Sequence, residues 1–157
     1  MDASKTNVAR ILDKAKIEYI YHTYAADQAI GGTEVAAAIG ESPERVFKTL
    51  VTAGKSGKNY VFVIPVNCEL ELKKAASVVS EKSIEMIKNK DLLPTTGYIH
   101  GGCSPIGMKK PFWTVVHSTA REFERIIFSA GKIGYQVELS LEDMAKVVRF
   151  DLADIAV

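Results

Sequence analysis

Val8, Ile11, Leu12 and Ala15 recur at helical spacing behind Ser4 and Thr6, either of which can cap a helix, so the chain is predicted to open with an amphipathic helix. Residues 19–24 then alternate as a strand. Thr33 is the expected cap of a short helix from Glu34 to Ile39, with Gly40 ending it, and Ser42-Pro43 reads as a cap followed by proline in a first helical turn. That turn leads into Val46-Phe47-Lys48-Thr49-Leu50-Val51, which is joined to Asn59–Pro65 by the turn material Gly54-Lys55-Ser56-Gly57, so a hairpin is expected. Leu72, Ala75, Ala76 and Val79 mark a second amphipathic helix, and Ile84 with Ile87 a third, shorter one. Strands follow at 113–117, 125–128 and 135–139, and Ser140-Leu141-Glu142-Asp143 is a capping signature for a terminal helix carrying Met144, Ala145 and Val148. Strands and helices interleave without a strict βαβ rhythm, repeat or linker, which predicts a mixed α/β (α+β) fold of one domain over residues 1–157, with helices packed around a mixed sheet.

One position breaks the hydrophobic pattern. On strand parity Val46, Lys48 and Leu50 share a face while Phe47, Thr49 and Val51 share the other, so a lysine stands on an otherwise apolar face, inside a sheet rather than at its edge. Its stem can snorkel along the sheet to water. Alternatively it points into a pocket, where its ammonium holds a phosphate or carbonyl oxygen or, desolvated, acts as a base. The strand alone leaves both open.

Composition narrows the classes of function. The 157 residues are 47% hydrophobic and 25% charged, which supports a self-sufficient core, and the formal charge of +1 excludes a global field that would draw nucleic acid or a membrane surface. Any such partner must be held locally, with Lys73-Lys74 and Lys109-Lys110 the obvious basic pairs. No apolar run is long enough to span a bilayer, the first residues carry no apolar signal core, and Cys68 and Cys103 lie in unrelated contexts, so a soluble protein of the cytoplasm is expected.

The segment Thr95-Thr96-Gly97-Tyr98-Ile99-His100-Gly101-Gly102-Cys103-Ser104-Pro105-Ile106-Gly107 must form a tightly turned loop. Its glycines permit close backbone approach to a ligand, or serve only the turn. It is not a phosphate-binding Walker loop, because Met108-Lys109 follows Gly107 where Lys-Ser/Thr is required. Cys103 invites a nucleophile reading that needs a base such as His100 or His117. His22, His100 and His117 show no HExxH spacing and the cysteines no CxxC, so no metal site is expected. Ser129 stands at the end of an apolar run, where a side chain reaches a cleft, without the Gly-x-Ser-x-Gly surroundings of a nucleophile elbow.

Taken together, His22-Thr23-Tyr24, Val46-Phe47-Lys48-Thr49-Leu50, Leu72-Lys73-Lys74, Thr96 to Gly107 with Lys109-Lys110, and Ser129-Ala130-Gly131-Lys132 resemble the YbaK-type aminoacyl-tRNA deacylases. These are free-standing relatives of the editing domain of bacterial prolyl-tRNA synthetases, and the resemblance covers nearly the whole chain. It implies a mixed, mostly antiparallel, barrel-like sheet surrounded by helices. It also implies hydrolytic clearing of mischarged tRNA, chiefly cysteine on proline tRNA, with alanine-charged proline tRNA or a non-catalytic binding module as alternatives.

By the same resemblance Lys48 matches the essential lysine, Gly101 the glycine whose backbone meets substrate, and Tyr24 and Ser129 side chains of the aminoacyl pocket. Thr49, Gly102, Ser104, Pro105 and Lys73 are the further expected contacts to the 3′ CCA end of the tRNA. No cofactor is implied, and a prolyl-tRNA synthetase is the implied partner. The substrate's own thiol is implied as the nucleophile, closing a thiolactone. The chain departs from the family pattern at Cys103, usually aliphatic, at Gln136, commonly aspartate, and in a slightly shortened loop after Tyr24.

Overall fold

A computed structural model of the chain describes residues 5–157, and Ser4 falls outside them. Helix α1 (Asn7–Lys14) is capped by Thr6, whose hydroxyl accepts from the Ala9 amide at 3.1 Å. Strand β1 (Ile20–Thr23) precedes α2 (Gly32–Ile39), which is capped at Gly31 rather than at Thr33: the Gly31 amide donates to the Glu34 carboxylate at 3.2 Å. Gly40 ends α2 in the left-handed conformation, as expected. Ser42-Pro43 opens one turn, closed by Arg45 N–H donating to the Ser42 carbonyl, and no helix follows.

The hairpin is present as β2 (Phe47–Gly54) and β3 (Asn59–Pro65), with Lys48 opposite Ile64. After α3 (Leu72–Val78), the expected helix around Ile84 and Ile87 is instead strand β4 (Ile84–Met86), antiparallel to the end of β2. Two apolar residues three apart fit either element, and pairing with Thr52–Gly54 decides it. Helix α4 (Asn89–Thr96) then occupies residues read from the sequence as the approach to a loop, with Pro94 inside it. Strands β5 (Trp113–His117), β6 (Ile126–Ser129) and β7 (Tyr135–Leu139) agree with the alternation to within a residue. The terminal helix α5 shrinks to Leu141–Met144, capped by Ser140, and strand β8 (Asp151–Ala153) follows it.

The strands form two open sheets, ordered β1-β7-β6 and β4-β2-β3-β5-β8, rather than a closed barrel. The first is antiparallel, whereas β3–β5 and β5–β8 in the second are parallel. A core built from Phe47, Val51, Val61 and Val63 of the larger sheet and Ile126, Phe128, Val137 and Leu139 of the smaller lies between them, with α1 contributing Val8 and Leu12. A second apolar cluster sits beneath α3, where Leu50 packs beside Phe62 and Ile64. No helix among the described residues is long and apolar enough to cross a membrane.

Candidate active site

The two sheets meet at one parallel bridge, Val46 to Ile127, supported by the Ile127 amide donating to the Arg45 carbonyl at 3.0 Å. Beyond that bridge they separate. β2 regains a neighbour on this side only where the Ile87 amide reaches the Val51 carbonyl, so residues 47–50 carry an edge that no described strand covers. A cavity of about 350 Å³ opens along it. Because the edge is free, both Lys48 and Thr49, which point to opposite faces of the strand, line this cavity.

The register places the chemistry. Val46 faces Ile127, so two residues further along Lys48 and Ser129 fall on the same face, and Ser129 is itself paired with Gln136 of β7. An ammonium, a hydroxyl and an amide therefore stand in a row across three strands, and all three line the cavity. Lys48 is half-buried and no carboxylate among the described residues pairs with it. The buried Ser129 hydroxyl accepts from the Gly131 amide at 3.1 Å, which leaves its proton free to donate.

The glycine-rich loop closes the other side. It begins at Gly97, the left-handed cap of α4, and the Lys109 amide donating to the Thr96 carbonyl at 3.0 Å ties its ends together. Tyr98 pins it from within, its hydroxyl donating to the Ile106 carbonyl at 2.5 Å, and burial pushes that phenol up to about 12. Gly101, at φ +88°, presents its backbone to the cavity in a conformation that disfavours a side chain, and a Cβ there would come within 2.5 Å of Ala29 Cβ. A Cβ at Gly102 would come within 3.2 Å of the backbone of Lys132 and Ile133, a looser approach.

Two residues that line this cavity each carry a buried polar atom with no partner among the described residues. Among the described residues three buried side-chain oxygens or nitrogens lack a hydrogen bond, and two of them, Thr49 Oγ1 and Gln136 Oε1, belong to residues that line it. Leaving such a group unsatisfied costs about 1–3 kcal/mol.

Of the residues singled out from the sequence, Lys48, Thr49, Gly101 and Ser129 come together here. Tyr24 follows β1, its amide held by the Gly134 carbonyl, and is not among the lining residues. Gly102 lies behind Gly101, and Ser104 is wholly buried with its hydroxyl accepting from the Ile106 amide, a turn-forming role. Pro105 borders a larger cavity, about 740 Å³, near Trp113 and Arg149, which holds none of the row of Lys48, Ser129 and Gln136. Lys73 lies in the first turn of α3 and is not among the lining residues. Cys103 lines the cavity, but burial pushes its thiol up to about 12, so it carries no thiolate for attack. His100, Leu92 and Gln136 also line the cavity and were not among the predicted contacts. An amide in an alternating strand has no signature in sequence that separates it from a surface residue.

Beside Gln136 on the same face of β7, Glu138 accepts from Arg45 at 3.0 Å and lies 2.7 Å from His22 Nε2, and Arg45 also pairs with Glu41. Desolvation pushes the Glu138 carboxyl up, and the hydrogen bonds and charge of His22 and Arg45 outweigh it, leaving it below the usual glutamate value. His22, Glu41 and Glu138 hold their ligand-type atoms within 4.8 Å of one another, with the Arg45 cation already between the carboxylates.

Comparison with known proteins places this geometry. Residues 30–147 match the model of the aminoacyl-tRNA editing domain family. Over 152 residues, 96% of this chain and 93% of the relative, the sequence is 43% identical to a protein of Enterococcus faecalis (strain ATCC 700802 / V583) named, provisionally, Cys-tRNA(Pro)/Cys-tRNA(Cys) deacylase EbsC. Two solved structures share the fold. One, from work on epitope backbone grafting onto scaffold proteins by computational design, aligns with a TM-score of 0.84 at 19% identity over 99% of this chain and 97% of that one. The other, described provisionally as a trans-editing enzyme for prolyl tRNA synthetase, aligns at 0.82 with 20% identity over 97% and 98%. At these identities the structural likeness speaks for the fold alone.

Proposed function

The chain belongs to the aminoacyl-tRNA editing domain family, and from that premise we propose that it is a free-standing editing unit, spanning residues 1–157, which clears cysteine from proline tRNA in the cytoplasm. The observation that carries the reading is the cavity along the free edge of β2: it gathers Lys48, Ser129 and the Gly101 backbone in about 350 Å³, suited to a small aminoacyl group and the start of its adenosine. Lys48 supplies the positive charge for the ester oxygens or the terminal ribose and phosphate, with no competing carboxylate among the described residues to neutralise it. The Gly101 carbonyl and the Ser129 hydroxyl anchor the aminoacyl side chain.

Protein nucleophiles are poorly placed. The Cys103 thiol is buried and protonated, and Ser129 has no base among its bonded neighbours. The substrate's own thiol then serves as the nucleophile, with water as the alternative that the products distinguish. Its sulfur attacks the ester carbonyl carbon, the C–S bond forms as the C–O3′ bond breaks, and the thiol proton leaves with the ribose 3′ oxygen, giving a thiolactone and free tRNA. Holding a thiol beside an ester is worth roughly 7–11 kcal/mol when the geometry is right, so orientation and electrostatics suffice. With a formal charge of only +1, direct affinity for the tRNA body is modest, and a prolyl-tRNA synthetase supplies the rest.

The test is a panel of cysteine-, alanine- and proline-charged proline tRNAs, with charged cysteine tRNA beside them. Deacylation of the cysteine-charged proline tRNA with release of a cysteine thiolactone is expected. Free cysteine without thiolactone would favour attack by water, preferential loss of alanine would reassign the substrate, and no deacylation of any member would leave a binding module.

A further inference from the structure

β2 alternates the direction of its main-chain hydrogen bonds, and two bonds fix the phase. The Val46 carbonyl accepts from the Val66 amide at 2.8 Å, and at the far end the Gly54 amide donates to the Lys58 carbonyl at 2.9 Å. In the antiparallel register between them, with Lys48 opposite Ile64 and Leu50 opposite Phe62, the even-numbered residues turn their amides and carbonyls toward β3. The odd-numbered residues turn theirs the other way. Bonds on that side agree: the Arg45 carbonyl accepts from the Ile127 amide, the Val51 carbonyl accepts from the Ile87 amide, and the Lys55 amide donates to the Ser83 carbonyl. Thr49 stands between the first two of these. Its amide and carbonyl point to the side where the bridge to β6 has ended at Val46 and the pairing with β4 begins only at Thr52.

What faces Thr49 there is the cavity rather than a strand. The residue is half-buried and its Oγ1 is wholly buried, so its main chain and carbon atoms are what line the cavity. A main-chain amide on a paired strand is fixed in direction and carries no rotamer freedom to lose, and a free strand edge is where an extended group adds through its own carbonyl. The aminoacyl ester brings one such carbonyl, whose oxygen gains negative charge when its carbon is attacked. We infer that the Thr49 main-chain amide is a catalytic hydrogen-bond donor, holding the carbonyl oxygen of the bound aminoacyl ester as charge develops on it. This rests on the deacylase reading and deepens it. The carbonyl π pair moves onto that oxygen as the nucleophile bonds to the carbon, and it returns as the C–O3′ bond breaks and the nucleophile's proton leaves with O3′. The amide keeps its own proton throughout. Lys48, the preceding residue, brings a cation to the same cavity on a flexible stem, and Thr49 supplies the part that does not move.

Side-chain replacement leaves this donor in place, since every residue but proline carries the amide. The experiment therefore compares Thr49→Val with the same protein carrying 2-hydroxyisovalerate, the hydroxy-acid counterpart of valine, at position 49, so that the two differ only in N–H against oxygen. Turnover of cysteine-charged proline tRNA is expected to fall roughly 10²-fold in kcat, with KM within about threefold, as for loss of an oxyanion donor. Hydrogen exchange on the unaltered protein supplies a readout that a merely structural amide would not move. In the free protein the Thr49 amide is expected to exchange far faster than that of Leu50, which is directed at Phe62. Saturation with cysteine joined through an amide to 3′-amino-3′-deoxyadenosine, which resists cleavage, is expected to slow Thr49 by roughly tenfold or more and to leave Leu50 level. A hydroxy-acid protein within about threefold of its amide counterpart overturns the inference and leaves the deacylase reading intact. So does a Thr49 amide as protected as Leu50 in the free protein, or one whose exchange the analogue leaves unchanged. A wild-type protein that deacylates none of the charged tRNAs overturns the deacylase reading, and this inference with it.

Discussion

Gln136 and Glu138 sit two residues apart on one face of one strand, both buried, and their surroundings could hardly differ more. Glu138 closes a network in which a histidine and an arginine satisfy both carboxylate oxygens. Gln136, one step toward the cavity, lines it together with Lys48, and neither its side-chain oxygen nor the Lys48 ammonium has a hydrogen-bond or ion-pair partner among the described residues. A polar group that is fully partnered within the protein holds strands together, whereas a residue that lines the cavity stands on the side of the site. The boundary between framework and site therefore runs along β7 between these two residues.

Breaking the open side should cost activity without costing the fold. Lys48→Ala removes a cation from the cavity and no ion pair among the described residues, so deacylation is expected to fall roughly 10²–10³-fold, about 3–4 kcal/mol of transition-state stabilisation, with Tm within a few degrees of wild type. Single-turnover rates and thermal unfolding measure the two halves of that statement, and undiminished turnover would remove Lys48 from the mechanism.

Breaking the closed side should do the reverse. Glu138→Ala leaves His22 and Arg45 facing each other across a buried gap and is expected to destabilise the protein by about 3 kcal/mol in urea titration. The pH dependence has a definite sign. Glu138 is held below the usual glutamate value, so its contribution is present above the unfolded value of about 4.3 and is lost as pH falls through the folded one. The variant should accordingly lose stability less steeply in acid than the wild type does.

Gly101→Ala attacks the wall between the two. A side chain at φ +88° that meets Ala29 is expected to cost about 2 kcal/mol of stability and to lower activity, since the loop must retreat from Ala29 or into the cavity. A smaller effect belongs to His117, far from the cavity, where burial lowers the imidazole pKa and Nδ1 accepts from the Ile155 amide at 3.1 Å. Because the folded value lies below the unfolded one of about 6.5, stability falls as pH drops below that unfolded value, and His117→Gln should remove that slope. Least of all, Cys103→Ser is expected to change deacylation by less than about threefold, because the thiol is protonated and buried. Abolished activity there would revive a protein nucleophile.

Much of the open side was legible in the sequence. Lys48 stood out because a cation interrupts an apolar face, and the Gly101-Gly102 pair because two glycines before Ser-Pro demand a tight turn. Gln136 and Glu138 were not legible as a contrast, since both occupy alternate positions of a strand whose pattern says nothing about what lies across from it. The missed elements share a cause. β4 and β8 are three residues long, too short for a period, and each exists through its pairing with β2 or β5. The helix α4 carries a proline, which reads as a breaker until its place in the helix is seen. Two open sheets in place of a barrel follow from a single bridge at Val46, a tertiary event with no local signal, and the cavity exists because those sheets part there.

The most direct test is a crystal structure with cysteine joined through an amide to 3′-amino-3′-deoxyadenosine, which mimics the charged tRNA end and resists cleavage. The account predicts density in the cavity along β2, with the carbonyl directed at Lys48. Density in the larger cavity beside Trp113, or an analogue bound in the opposite orientation with its amine at Lys48, would contradict it.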